Sequence, residues 1–302
     1  MGFVRRSRSR WQLRTRALPL GERTLVMGVL NVTPDSFSDG GTFADSENAV
    51  RHALAMLDQG ADLIDIGGES TRPGSAPTSI GQEQDRVLPV VEALLRERPE
   101  TVVSTDTYRA ATARAAVGAG CEVVNDVSGL LWDQEMAQAC AEMQCGLVLM
   151  HTRGRPSEWR TQPRLAQEEV VPLVRAGLAQ SLEAAADAGV DRERIVLDPG
   201  FGFGKAFDNN YPLLAHLDEL LLLGQPLLAG VSRKSFLART LAEGRATGDS
   251  GRAGEVPIGE RGNATLAAIT AAILAGASIV RVHEVRPAVE AARIADAILS
   301  AL

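Results

Sequence analysis

From Leu25 onward the chain alternates short apolar runs, rich in β-branched residues, with amphipathic stretches of helical period and with loops of Gly, Asp and Ser. That alternation is the pattern of parallel βαβ units. The strand-like runs are LVMGVLN (25–31), DLIDIGG (62–68), TVVSTD (101–106), EVVND (122–126), GLVLMH (146–151), RIVLD (194–198), PLLAGVS (226–232) and SIVRVH (278–283). Each is nearly continuous in apolar residues, as strands covered on both faces must be. Between the first two, residues 47–57 place Val50, Ala53, Leu54 and Leu57 on one helical face, with Ser46 as the expected N-cap and Gly60 as the stop. Comparable helices are predicted over 79–97, 108–117, 167–187, 210–222, 263–275 and 287–299, and a less defined one near 134–142. Strands followed in turn by helices predict an α/β fold, a (β/α)8 TIM barrel forming one domain over 25–302. An open doubly wound sheet is the alternative.

Ahead of the barrel, residues 1–24 form an arginine-rich arm with no acid in its first 16 positions. A targeting peptide or a nucleic-acid arm would share that charge. No long apolar run follows it, however, and WQLRTRALPL (11–20) partly alternates apolar with polar residues before Gly21-Glu22 offers a turn. The reading is a short β-hairpin. Across its 302 residues the chain is 45% hydrophobic and 23% charged, with a net charge of −7, so nothing global attracts nucleic acid or an anionic membrane. Its apolar runs fall short of the roughly 18 residues of a membrane span. The expectation is a soluble protein with neither nucleic-acid nor membrane partners. Cys121, Cys140 and Cys145 have neither the number nor the spacing of a disulfide framework or zinc site. They fit small core hydrophobes in a reduced, cytoplasmic setting.

In such barrels chemistry sits at the C-terminal ends of the strands. Here those ends carry Asn31, Glu69-Ser70-Thr71-Arg72, Asp106, Asn125-Asp126, His151, Asp198, Ser232-Arg233-Lys234-Ser235, and Arg281 with His283. Asp106, Asn125 and Asp198 could accept hydrogen bonds from the edge of a flat heterocycle, or could cap the helices that follow. Arg72, Lys234, Arg281 and His283 put positive charge on the rim of an acidic protein, which points to an anionic substrate. Arg281 stands between Val280 and Val282 inside an apolar strand, so it needs a partner. NVTPDSFSDGG (31–41), with Phe37, and GGESTRPGS (67–75), with Arg72, are longer than the two to about six residues of an ordinary strand-to-helix link. Loops of this make-up can order over a substrate. GFGFGK (200–205) resembles a P-loop, but Pro199 and Ala206 stand where that motif needs Gly and Ser or Thr. A tight turn carrying Phe203 toward a ligand is the reading instead. His151 is open to a role as base, metal ligand or structural group.

Taken in order, MGVLNVTPDSFSDGG, IDIGGESTRPGS, STDTYR, VNDVSG, LMHTRG, LDPGFGFGK, GVSRKSF and IVRVHEV resemble the motifs of the dihydropteroate synthases. The resemblance runs from Leu25 to Ala292. It implies a homodimeric, magnesium-dependent enzyme that joins 6-hydroxymethyl-7,8-dihydropterin diphosphate to p-aminobenzoate. Asp106, Asn125, Asp198 and Lys234 would bind the pterin, with Met150 and Phe203 lining its pocket. Asn31, Thr71, Arg72, Arg281 and His283 would hold the diphosphate, Asn31 through the metal. Phe37, Thr71, Pro73 and Ser235 would receive p-aminobenzoate, Ser235 at a helix start that favours its carboxylate. Asp106, Lys234, Arg281 and His283 would act in catalysis. Similar enzymes lose pyrophosphate first, leaving a cationic pterin methylene near the Asp106 carboxylate for the amine to attack. Two departures are Glu284, where many relatives carry Asp, and the long polar stretch 243–262, expected to be a flexible excursion. The rival classes are a pterin-binding methyltransferase domain serving a corrinoid partner and a degenerate barrel kept as a binding module.

Overall fold

The computed structural model describes residues 2–33, 41–70, 78–245 and 256–302. Its sheet has eight parallel strands, β3 (Leu25–Asn31), β4 (Leu63–Gly67), β5 (Val102–Asp106), β6 (Val123–Asp126), β7 (Gly146–Met150), β8 (Ile195–Asp198), β9 (Leu228–Ala229) and β10 (Ile279–Val282). They pair in chain order from β3 to β8, and β10 sits between β3 and β9. A parallel bridge from Leu197 to Leu227 joins β8 to the β9 segment and closes the ring. Helices α1 (Gly41–Asp58), α2 (Ile80–Glu97), α3 (Ala110–Gly118), α4 (Met136–Met143), α5 (Gln167–Asp187), α6 (Asn210–Ala215), α7 (Ser235–Arg245), α8 (Gly262–Leu274) and α9 (Val285–Ser300) lie along the chain between and after the strands. This is the TIM barrel that the periodicity predicts.

Successive strand residues face opposite sides of a sheet, and the two faces have separate cores. Val26, Leu30, Ile64, Ile66, Val103, Val124, Leu147, Leu197 and Val280 pack outward against the helices. Leu25, Met27, Leu63, Val102, Val123, Val148, Val196, Leu228 and Ile279 point into the barrel and form its apolar floor. Trp11, Leu13 and Leu20 join that floor from outside the barrel. They come from an antiparallel hairpin, β1 (Ser9–Gln12) and β2 (Ala17–Leu20), which plugs the N-terminal end.

Several arginines of the arm have structural partners. Arg6 is 8% exposed and bonds Thr24 (2.7 Å), the Ala277 carbonyl (3.1 Å) and Asp296 (2.5 Å). Arg14 reaches the Val117 carbonyl (3.1 Å) and Arg16 the Glu100 carbonyl (2.8 Å). Trp11 Nε1 donates to the Arg194 carbonyl (2.8 Å). The charge of this segment therefore fastens the hairpin to the barrel. All three cysteines are buried.

Several boundaries differ from the sequence reading. The hairpin turns at Leu13–Arg16, where Leu13 N–H donates to the Arg16 carbonyl (2.8 Å), and Gly21 follows the second strand. Helix α1 begins at Gly41, so Ser46 lies inside it, while Gly60, at φ +102°, ends it as expected. Residues 210–222 divide into α6 and a 3₁₀ helix over Leu217–Leu223, since seven residues do not distinguish periods of 3.6 and 3.0. The seventh strand keeps only Leu228–Ala229, because the chain then turns through Arg233 at φ +59°. Helix α7 begins at Ser235, where the resemblance implies a helix start, although no helical period over 235–245 was read from the sequence. The stretch 246–255, half of the expected excursion, lies outside the described residues, as do Phe37, Thr71, Arg72 and Pro73.

Candidate active site

The inward face that supplies the floor also supplies the mouth. Two residues beyond Leu63 on that face is Asp65; from Val102 it leads to Ser104 and Asp106, from Val123 to Asn125, from Val148 to Met150, and from Val196 to Asp198. From Ile279 it leads to Arg281 and His283, and from Met27 to Val29 and Asn31. Register places Asp106 beside Asn125 and Met150 beside Asp198. One parity thus brings seven of the expected site residues to the same end of the barrel.

At the centre, Arg281 Nε donates to Asp65 Oδ2 and Arg281 Nη2 to Asp106 Oδ2, each at 2.6 Å. Asn125 Nδ2 donates to the same Asp65 oxygen at 2.9 Å. Here is the partner that an arginine inside an apolar strand requires. Burial works against the guanidinium charge, but Asp65 and Asp106 outweigh it and raise the Arg281 pKa. Burial pushes Asp106 up to about 7 despite the opposing charge of Arg281.

Across the mouth, the buried Asp198 accepts from Gly200 N–H through Oδ1 at 2.7 Å. A side chain at Gly230 would begin 3.4 Å from Asp198 Oδ2, so glycine keeps that oxygen accessible. Burial raises the Asp198 pKa, with the Gly200 hydrogen bond and Lys234 opposing. Lys234 Nζ sits 4.1 Å from the Phe203 ring centroid, and Trp159 meets Phe203 edge-on with centroids 5.1 Å apart. Burial lowers Lys234 to about 8 while Asp198 supports its charge. The result is a slot with a carboxylate and an amide at its base and an aromatic ring with a cation at its side.

The turn bearing Phe203 is held from within. Gly200 has φ +67°, and a Cβ there would fall 1.9 Å from the His151 carbonyl oxygen, so no other residue fits. Lys205 Nζ donates to the Gly200 carbonyl (2.7 Å), the His151 carbonyl (3.2 Å) and the Phe203 carbonyl (3.3 Å). GFGFGK therefore holds itself together with its own lysine. The His151 ring packs on Gly177, and burial together with Lys205 and Arg153 drives it down to about 2, so it is a neutral structural group.

On the rim, Ser232 Oγ lies 3.0 Å from His283 Nδ1 and accepts the His283 backbone N–H at 3.3 Å. Asn31 ends β3 partly exposed, and Ser235, exposed, begins α7. Arg233 is ion-paired to Glu284 at 2.6 Å, so the longer acid bridges the last two loops. Among the described residues, no group of three or more His, Cys, Asp or Glu side chains could by itself hold a metal ion. Asp65 and Trp159 are the site residues that sequence reasoning missed. Asp65 carries the same signal as Arg281, a charge on the inward parity of an apolar strand.

A barrel with a sealed floor and a mouth combining buried carboxylates, an amide and cations is built to hold a small polar, anionic ligand. The family model of pterin binding enzymes matches residues 27–283. Dihydropteroate synthase of Bacillus subtilis is 40% identical over 284 residues, 94% of this chain and 92% of its own. Xanthomonas albilineans dihydropteroate synthase with 4-aminobenzoic acid superposes with a TM-score of 0.85 at 39% identity, covering 97% of this chain and 98% of its own. The same enzyme in complex with 7,8-dihydropteroate gives a TM-score of 0.80 at 38% identity, over 96% and 98%. The chain belongs to the dihydropteroate synthase family of pterin binding enzymes.

Proposed function

We propose that the barrel joins 6-hydroxymethyl-7,8-dihydropterin diphosphate to p-aminobenzoate, giving 7,8-dihydropteroate and pyrophosphate. The observation that carries this reading is the inward convergence of Asp198, Asn125 and Asp106 with Arg281 and Lys234. Asp198 and Asn125 take the donors and acceptors of the pterin edge, Met150 lies under the ring, and Phe203 with Lys234 flanks it. Arg281, His283, Asn31, Thr71 and Arg72 hold the diphosphate. Phe37, Thr71, Pro73 and Ser235 receive p-aminobenzoate, whose carboxylate meets the N-terminus of α7. Residues 25–302 act as one domain, with 1–24 its arm and plug.

In the reaction the C–O bond breaks and its electron pair leaves with pyrophosphate, which Arg281 and His283 stabilise by charge and hydrogen bonds. Asp106, released from Arg281 when the anion arrives, faces the cationic methylene. The amine nitrogen then forms the C–N bond and loses a proton. No covalent enzyme nucleophile is needed. A single amide oxygen on Asn31 suits magnesium, which takes few protein ligands and completes its shell with phosphate oxygens and water. When bound there, the metal would supply charge neutralisation for the pyrophosphate leaving group. The protein works in the cytoplasm as a homodimer. No described helix is long and apolar enough to cross a membrane.

Purified protein given both substrates should release pyrophosphate and form 7,8-dihydropteroate, read by mass spectrometry. Methyl transfer from a methylated folate to a corrinoid, without that product, would favour the methyltransferase reading instead.

A further inference from the structure

A four-residue turn carries the chain from β9 toward α7, closed by Lys234 N–H on the Val231 carbonyl at 3.4 Å. Its third residue, Arg233, has φ +59°, a left-handed backbone that glycine ordinarily supplies at such a position. A bulky residue persists there only where its surroundings over-determine it, and backbone strain of that kind clusters at functional sites. The surroundings here are the starts of the next two helices. Arg233 N–H donates to Thr265 Oγ1 in the first turn of α8 (3.0 Å), and the Arg233 carbonyl accepts from Nη1 of Arg261, the residue before α8 (3.0 Å). Arg233 Nη2 pairs with Glu284, the residue before α9, at 2.6 Å.

Thr265 and Arg261 are themselves held, each only 6% exposed. The Val256 carbonyl accepts from both Nε (2.9 Å) and Nη2 (2.8 Å) of Arg261, which leaves Nη1 aimed at the turn. The residue that this frame delivers next is Lys234. Its Nζ rests 4.1 Å from the Phe203 ring centroid, where burial lowers its pKa to about 8, Asp198 and Asp106 support its charge and Arg281 opposes it. A turn that served only to join β9 to α7 could take glycine and dispense with both backbone bonds.

We propose that Thr265 and Arg261 are positioning residues for the pterin, holding Arg233 in its left-handed turn so that Lys234 faces the slot. This rests on the reading above that Lys234 flanks the pterin ring. Both act through the backbone of residue 233.

The test uses the full chain with Thr265→Val, which has nearly the same shape but no acceptor for Arg233 N–H, and Thr265→Ser, which keeps the acceptor. A displacement of about 1 Å in such a site can cost up to a hundredfold, so kcat/KM for pterin diphosphate should fall about tenfold or more in Thr265→Val and stay within about threefold of wild type in Thr265→Ser. The alkaline limb of the pH profile is the second readout. A Lys234 that leaves the slot regains water, so its pKa climbs from about 8 toward 10.5 and the limb moves to higher pH in Thr265→Val. Loss of stability alone lowers the folded fraction and leaves the limb in place. Arg261→Lys, which keeps the charge but not the fork, should repeat both effects, and it decides alone should Thr265→Val fail to fold. An unchanged kcat/KM in Thr265→Val, a fall with no movement of the limb, or an equal fall in Thr265→Ser overturns the proposal. A wild-type protein that makes no dihydropteroate would instead remove the functional reading on which it rests.

Discussion

Arg281 Nη2 and Asp106 Oδ2 meet at 2.6 Å in the mouth of the barrel, so the cation expected to receive the diphosphate is already engaged by a carboxylate. In the proposed reaction, diphosphate binding exchanges one anion for another at Arg281. Asp106 titrates at about 7 and Lys234 at about 8, both displaced toward neutrality by burial.

A bell-shaped profile of kcat/KM for pterin diphosphate should follow, rising to about pH 7 and falling above about pH 8. Below the first value Asp106 is neutral; above the second Lys234 has lost its charge. Lys234→Arg should remove only the descending limb. A profile flat from about pH 6 to about pH 9 would contradict these assignments.

The same groups set a stability signature. Asp106 is raised from 3.8 to about 7, so its contribution is full below 3.8 and is lost as pH rises through about 7. Asp106→Asn should therefore gain stability relative to wild type between about pH 4 and about pH 7, by at most about 1.4 kcal/mol per pH unit, and the difference should level off above. Urea titrations at several pH values read this difference, and parallel curves would count against it.

Asp198→Asn should weaken pterin binding, because an amide offers a neutral oxygen and an unwanted NH2 where the carboxylate stood. Loss of one charged hydrogen bond costs roughly 1.5–3 kcal/mol, or about tenfold to more than a hundredfold in affinity. Calorimetry is the check, and unchanged affinity would refute the pterin role of Asp198.

Trp11→Ala should destabilise the fold without altering the mouth. The indole is fully buried in the floor, and its Nε1 donates to the Arg194 carbonyl. A loss of about 3–5 kcal/mol is expected for emptying such a site. Chemical denaturation measures the loss, while KM values near wild type at low temperature would confirm that floor and mouth are separate.

Pyrophosphate release should stop on exhaustive chelation and return with magnesium. In the proposed diphosphate site Asn31 offers a neutral amide oxygen beside the cations Arg72 and Arg281, so the metal is expected to come with the substrate. Full activity in chelator would exclude this role.

The repeating β and helical periods made the barrel legible, because eight apolar runs with helices between them admit few topologies. Most of the mouth was legible too, since Asn31, Asp106, Asn125, Asp198, Arg281 and His283 stand at strand ends in the sequence. What periodicity does not show is which groups pair across the barrel. Asp65 binds Arg281 from 216 positions away in the chain, and Arg109 reaches Glu69 across 40. Such contacts exist only once the strands are in register. Trp159 was missed for a related reason, as an aromatic in a long loop has no periodic neighbours to give its direction.

Among the described residues, the hairpin plug closes the N-terminal end of the barrel and leaves the opposite end for entry. Asn125 and Asp198, 3% and 5% exposed, lie deeper than the partly exposed His283 and the exposed Ser235. The expected outcome of the proposed reaction is an ordered queue, in which the reactant that uses the deep residues is loaded first and an occupant of the rim holds it there until the rim clears. Labelled pterin that exchanged freely under saturating p-aminobenzoate would reveal a second entrance. With Trp11, Leu13 and Leu20 packed into the far end, the expected traffic is last in, first out.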